Sequence, residues 1–219
     1  GIDNANNPTE ISLQFTVDNG APVITSEIPE EGRLIGGSAL ANGRATITGT
    51  VVDLDPNLNV TCSTGAGQGV VTLASSDYTC VVPVAEGLNT VVVTASDSTG
   101  HMSSLSRPLT LDQTAPVISV AAPTDGAFTA ATSLSVTGTV IDQSAVTVTV
   151  NGGSAAVNAG TGGGTSTFEA TGVAVGAGPS AVLDVVATDA AGNASTVHVT
   201  VRVDRNAPIV AITSPSSGA

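Results

Sequence analysis

Apolar and polar residues alternate with a period of two along most of the chain. In Ala45-Thr46-Ile47-Thr48-Gly49-Thr50-Val51, apolar or small residues take one face and threonines the other. Leu134-Ser135-Val136-Thr137-Gly138-Thr139-Val140 repeats that pattern. Val91, Val93 and Ala95 are matched by Leu183, Val185 and Ala187, and Val197, Val199, Val201 and Val203 alternate with His198, Thr200 and Arg202. Successive side chains of a strand point to opposite faces, so these runs predict half-buried antiparallel strands. No segment keeps a helical period, and clusters of Gly, Asn, Asp, Ser and Pro separate the runs.

A repeat overlies the alternation. Asp3, Asp97 and Asp189 each stand fifteen residues before a second aspartate, Asp18, Asp112 and Asp204. Each second aspartate opens a related linker: Asp18-Asn19-Gly20-Ala21-Pro22, Asp112-Gln113-Thr114-Ala115-Pro116 and Asp204-Arg205-Asn206-Ala207-Pro208. The linkers recur after 94 and then 92 residues, enough for each unit to have its own core. About seven short strands in such a span predict an all-β fold of tandem immunoglobulin-like antiparallel β-sandwiches arranged end to end. The expected division is residues 1–17 as the C-terminal strand of a preceding repeat, 18–111 and 112–203 as two immunoglobulin-like domains, and 204–219 as the N-terminal strand of a following repeat. Ile11, Leu13, Phe15 and Val17 align with the last strand of a unit, and Pro215 and Gly218 align with Pro123 and Gly126. Neither end piece can bury its apolar face alone. Two readings fit: a window on a longer array, or a subunit that lends an orphan strand to a neighbour.

Composition narrows the function. Acidic residues number 18 against 5 basic ones, all arginine, for a net charge of −13. That balance disfavours nucleic acid and anionic membrane surfaces. Apolar residues reach 41% but aromatic residues only 2%, so the core is expected to be built from Val, Ala, Ile and Leu. No apolar run approaches the ~20 residues of a membrane span, and membrane insertion is not expected. Cys62 and Cys80 both fall in strand-like runs of the first unit, where the second unit has Val150 and Ala170. A pair present or absent together points to a disulfide and an oxidising, extracellular or cell-surface location. Two buried free thiols are the other reading.

Strand direction gives the aspartates a place. If strands A to G alternate in direction, the B–C, D–E and F–G loops return to the pole where the linker enters. Asp53 and Asp55 follow strand B, Asp97 follows strand F, and Asp18 lies in the linker, so they are expected to converge. Asp112, Asp142 and Asp189 take the same parts in the second unit, and Asp204 opens the linker beyond. Clustered carboxylates repel one another unless a cation neutralises them. An all-oxygen set suits Ca2+, which takes about 6 to 8 oxygen ligands. Glu30-Glu31-Gly32 and Thr124-Asp125-Gly126, at the opposite pole, could each lend an oxygen to the next junction. The plainer alternative is that these aspartates cap their own turns.

Ala187-Thr188-Asp189-Ala190-Ala191-Gly192-Asn193, a valine-threonine strand and Val203-Asp204-Arg205-Asn206-Ala207-Pro208 resemble the signature of bacterial immunoglobulin-like tandem repeats. Such repeats build giant secreted adhesins and surface stalk proteins. The resemblance covers essentially the whole chain. It implies calcium at domain junctions, carried by Asp18, Asp97 and Asp112 and by Asp142, Asp189 and Asp204. Two departures stand out: His101 replaces the Asn193 of the second unit, and Asp53-x-Asp55 becomes Asp142-Gln143-Ser144. The two junctions are therefore expected to differ in affinity or ion number.

Catalytic chemistry is not expected. His101 and His198 lie in different units, and neither a Ser-His-Asp nor a Cys-His arrangement can be drawn. Asp184 is read as a solvated charge. Gly160-Thr161-Gly162-Gly163-Gly164 lacks the lysine of a phosphate loop and is read as a flexible tip. Sugar platforms usually need aromatic rings, and only Phe15, Phe128, Phe168 and Tyr78 are available, of which all but Phe128 fall in strand-like runs. Asn59-Val60-Thr61 and Asn193-Ala194-Ser195 fit the short N-glycan acceptor pattern. The expected role is a structural segment of an extracellular repeat array, stiffened by calcium. Its partners would be neighbouring repeats, with any receptor engaged through another region. The alternatives are a polymerising filament subunit and a ligand-binding or accessory module of a large secreted enzyme.

Overall fold

The structure, a computed structural model, describes residues 5, 6, 8, 10–14, 17–27, 29–160 and 164–211. The chain divides into two compact units, Gly1–Arg33 with Ser38–Thr110, and Leu34–Gly37 with Leu111–Ala219. A 3-10 turn at Gly37–Ala39 is the sole helical element among the described residues.

The first nine strands are β1 (Val23–Ile24), β2 (Leu34–Ile35), β3 (Arg44–Val52), β4 (Asn59–Thr64), β5 (Gly67–Gln68), β6 (Val70–Ala74), β7 (Asp77–Pro83), β8 (Gly87–Ser96) and β9 (Met102–Leu111). They form one sheet in the order β1-β3-β7-β6 and another in the order β2-β9-β8-β4-β5. The next nine are β10 (Val117–Ala122), β11 (Phe128–Thr129), β12 (Ser133–Asp142), β13 (Val146–Val150), β14 (Gly153–Ser154), β15 (Ala156–Asn158), β16 (Gly164–Ala174), β17 (Ser180–Asp189) and β18 (Ala194–Val203). They repeat the plan as β10-β12-β16-β15 and β11-β18-β17-β13-β14. The strand between the linker and strand B is thus split in two in each case, and its second half pairs with the other sheet. In the second set that half, β11, runs parallel to β18.

The alternation read from sequence is the alternation of burial. Ala45, Ile47, Gly49 and Val51 of β3 are buried, while the threonines between them face outward. In the second unit, Val136 and Val140 of β12, Phe168 and Ala170 of β16, Val148 and Val150 of β13, and Leu183, Val185 and Ala187 of β17 share one core. The disulfide of Cys62 with Cys80 joins β4 to β7, and hence one sheet to the other. Val150 and Ala170 hold the matching positions: Cys62 pairs across its sheet with Val93 and Val150 with Val185, and Cys80 pairs with Ile47 and Ala170 with Val136.

Two aromatic rings are pillars of these cores. Tyr78 and Phe168 are both buried, and each pairs across its sheet with a glycine, Gly49 and Gly138. A Cβ at Gly49 would lie 2.7 Å from the Tyr78 hydroxyl, and one at Gly138 would lie 2.7 Å from the Phe168 ring. It would also run into a backbone carbonyl of the preceding segment, that of Thr25 or Ser119. Tyr78 uses its hydroxyl to donate a 2.8 Å hydrogen bond to the Thr25 carbonyl.

The strands expected at the two ends fall partly outside the described residues. None of the described residues in 10–14 or 204–211 belongs to a strand, and Ile11 and Leu13 stand 87% and 84% exposed. Alternation marks a face, but a strand also needs a neighbouring backbone to accept its hydrogen bonds. Asp3, Phe15, the tip at 161–163 and the Pro215–Gly218 match lie outside the described residues.

Candidate metal centre

The linker and two loops build each candidate site. Asp18 precedes β1, Asp53 follows β3 and Asp97 follows β8. One carboxylate oxygen from each lies within 4.8 Å of the others. Asp112, Asp142 and Asp189 meet within the same limit. In that group Asp142 and Asp189 are the last residues of β12 and β17.

Each aspartate also caps its own turn, so the plainer reading holds for part of the chemistry. Asp18 Oδ1 accepts the Gly20 N–H at 3.0 Å, and Asp112 Oδ1 accepts the Thr114 N–H at 3.1 Å. Asp53 Oδ1 accepts the Asp55 N–H at 2.8 Å, and Asp142 Oδ1 accepts the Ser144 N–H at 2.7 Å. A turn needs one carboxylate oxygen and leaves the second for other work. Asp18 Oδ2 is buried and meets no hydrogen-bond donor. A buried carboxylate oxygen without a donor is costly unless a cation faces it. The donor set of three carboxylates therefore fits a hard, oxygen-seeking ion.

Asp97 and Asp189 are the buried members of the two groups. Asp97 Oδ1 accepts the backbone N–H of Thr99 and of His101 at 2.9 Å, and Oδ2 lies 2.9 Å from His101 Nδ1. A carboxylate only accepts, so His101 donates through Nδ1. Burial pushes the Asp97 carboxyl up, and the hydrogen bonds from Thr99, His101 and Gly100 outweigh it and hold the group below its ordinary value. In the second unit Asn193 does the same work: its N–H meets Asp189 Oδ1 at 2.7 Å and its Nδ2 meets Asp189 Oδ2 at 2.8 Å. Nδ2 also donates to the Asp112 carbonyl at 2.9 Å, and Ser195 Oγ donates to the Pro116 carbonyl at 2.5 Å. The sequence aligns His101 with Asn193 as a difference between the units, but their shared role in orienting the aspartate is not read from it. Their signal is the spacing, a side-chain donor four residues after the buried aspartate.

Asp55 and Asp204 are not in either group among the described residues. Asp55 turns to the neighbouring loop, where Oδ2 accepts the Ser98 N–H at 2.8 Å and the Ser98 hydroxyl. The Ser98 hydroxyl, then the Asn57 and Ser98 N–H groups, lower its pKa to about 2. Ser144 takes this place in the second unit and accepts the Ala190 N–H at 3.4 Å. Asp204 Oδ1 accepts the Asn206 N–H at 3.0 Å. Glu31 pairs with Arg107 at 2.8 Å, Asp125 accepts the Thr200 N–H, and Asp184, exposed to solvent as expected, sits 2.7 Å from His198 Nδ1. Asn193 spends its amide nitrogen inside the site, which leaves Asn59 as the exposed member of the two acceptor patterns.

Residues 116–205 match the family model described as glucodextranase, domain B. A segment of three immunoglobulin domains of titin superposes with a TM-score of 0.53 at 12% identity, over 83% of this chain and 65% of that one. The fold is an immunoglobulin-like β-sandwich. The fibronectin(III)-like modules of Clostridium thermocellum CbhA align with a TM-score of 0.46 at 19% identity, over 83% of this chain and 94% of that one. No curated protein sequence matches the chain. No helix among the described residues is long and apolar enough to cross a membrane.

Proposed function

We propose that this chain is a structural segment of an extracellular repeat array, with Ca2+ held by Asp18, Asp53 and Asp97 in one unit and by Asp112, Asp142 and Asp189 in the other. The observation that carries the reading is Asp18 Oδ2, buried without a donor inside a group of three carboxylates. Mg2+ fits less well, because it favours a strict octahedron and keeps its waters. Each group joins a linker residue to loops at the ends of two strands. A bound ion would tie the linker to the unit that follows it and restrict bending there. The disulfide supports an oxidising location outside the cytoplasm.

Calorimetric titration with CaCl2 and small-angle scattering with and without chelator test this reading. Heat of binding, and a longer maximum dimension in calcium, are expected. No heat would sink the site, and an unchanged maximum dimension would sink the stiffening.

A second reading, an accessory module of a secreted carbohydrate-acting enzyme, is favoured by the match of residues 116–205 to glucodextranase domain B. The two are compatible, since a spacer can carry a catalytic domain as well as an adhesive tip.

A further inference from the structure

Asn193 and His101 orient their aspartates alike, but only Asn193 has a donor left over for the linker. An amide nitrogen carries two hydrogens. Asn193 Nδ2 gives one to Asp189 Oδ2 at 2.8 Å and the other to the Asp112 carbonyl at 2.9 Å. An imidazole nitrogen carries one hydrogen at most. His101 Nδ1 gives it to Asp97 Oδ2 at 2.9 Å, and nothing remains on that atom for a carbonyl.

A second pair of residues shows the same difference. Ser195 of β18 donates from Oγ to the Pro116 carbonyl at 2.5 Å. Ser103 of β9 stands two residues after His101 as Ser195 stands two after Asn193, and Pro22 stands four after Asp18 as Pro116 stands four after Asp112. Both prolines are buried. Yet Ser103 Oγ is buried and has no hydrogen-bond partner. Among the described residues no side-chain donor meets a carbonyl of linker 18–22, whose one side-chain bond is the turn's own, from the Gly20 N–H to Asp18 Oδ1. A buried hydroxyl without a partner is costly. The first unit therefore holds the parts of a Ser103–Pro22 contact that it has not made.

We propose that the two linkers are fastened by different means, and only the first by calcium. Asn193 and Ser195 hold linker 112–116 to its unit with no metal ion. On the calcium reading given above, linker 18–22 is fastened only when a cation draws Asp18 against Asp53 and Asp97, which brings the Pro22 carbonyl to Ser103 Oγ. The first linker is thus the calcium-sensitive one, and the second keeps its order in chelator. The choice between them lies in one position, His101 or Asn193.

Hydrogen exchange of the whole chain, read by mass spectrometry, compares the amides of 19–21 with those of 113–115, each relative to its rate in unstructured peptide. In chelator, 19–21 should exchange about tenfold faster than 113–115, and calcium should remove most of that gap. His101→Asn supplies the missing hydrogen and should close the gap in chelator. Asn193→His removes it and should open 113–115. Ser103→Ala should cut the protection that calcium gives 19–21, and Ser195→Ala the protection that 113–115 has in chelator. The amides of β8 and β17 in the same spectra show that each variant is folded. Equal protection of the two linkers in chelator, or exchanges of His and Asn that move neither linker, overturns the proposal whatever calcium does. A first linker that ignores calcium overturns its calcium half, and calorimetry tells why: no heat means that the aspartates hold no ion, and heat without protection means that ligation does not fasten the linker.

Discussion

His101 and Asn193 make the same two bonds to the aspartate four residues before them, one from the backbone N–H and one from the side chain. An imidazole and an amide thus serve one geometry, because each offers an N–H donor at similar reach. His101→Asn should therefore preserve calcium binding in the first unit. His101→Ala and Asn193→Ala should weaken it by about 10- to 100-fold, the usual cost of losing a group that orients a ligand. Titration calorimetry on the three variants distinguishes these outcomes.

Asp18 and Asp55 separate ligation from loop bracing. Under the proposed calcium site, Asp18→Asn should abolish the thermal shift expected on adding calcium to the first unit, since it removes the charge that the buried Oδ2 carries. Asp55→Asn should leave that shift in place, because Asp55 braces the loop through Ser98 and contributes no oxygen to the group. Differential scanning fluorimetry across a calcium series reads both.

The convergence of Asp18, Asp53 and Asp97 follows from alternation alone. Period-two runs give antiparallel strands, and reversing direction at each strand brings the linker and two loops to one pole. The part of Asp55 did not follow, because its partner is the Ser98 hydroxyl in a loop 43 residues away, which no local pattern records. Among the described residues, Ile11 and Leu13 have the pattern of a strand yet stand exposed outside one, because a pattern does not supply the neighbouring backbone. The split first strand was also illegible, since two-residue pieces such as β2 and β11 are too short to alternate. Tyr78 and Phe168 read correctly as strand residues, while the exposure of Phe128 required the sheet edge to be placed.

Asp55 also sets an acid limit. Its folded pKa of about 2 lies below the ordinary 3.8. A depressed carboxylate contributes stability that is fully present above the unfolded value and is lost as pH falls toward the folded one. The first unit should lose stability between about pH 4 and pH 2, and Asp55→Asn should flatten that part of the profile. Urea midpoints measured in chelator at successive pH values test this, and an unchanged slope in the variant would count against it.

The disulfide belongs to the first unit alone. Cys62 and Cys80 are 18 residues apart, a loop whose closure contributes roughly 3 kcal/mol. Reduction, or Cys62→Ser with Cys80→Ser, should lower the melting temperature of the first unit. The second should be untouched, because Val150 and Ala170 hold those positions with apolar contacts. Calorimetric scans with and without reductant follow the two transitions.

Gly49 and Gly138 test the other device common to both cores. Each lets an aromatic ring on the next strand, Tyr78 or Phe168, lie against bare backbone while a preceding segment crosses close by. A methyl group at either position meets both the ring and a backbone carbonyl, and neither is the free end of a flexible chain. Gly49→Ala and Gly138→Ala should each destabilise their own unit by about 1–3 kcal/mol, the range for overpacking a closed core. Tyr78→Phe is the milder companion: it keeps the ring and loses the bond to the Thr25 carbonyl, at a cost of about 1 kcal/mol. Chemical denaturation should rank Gly49→Ala below Tyr78→Phe. The reverse order would mean that the hydroxyl, rather than the close approach over glycine, holds the preceding segment in place.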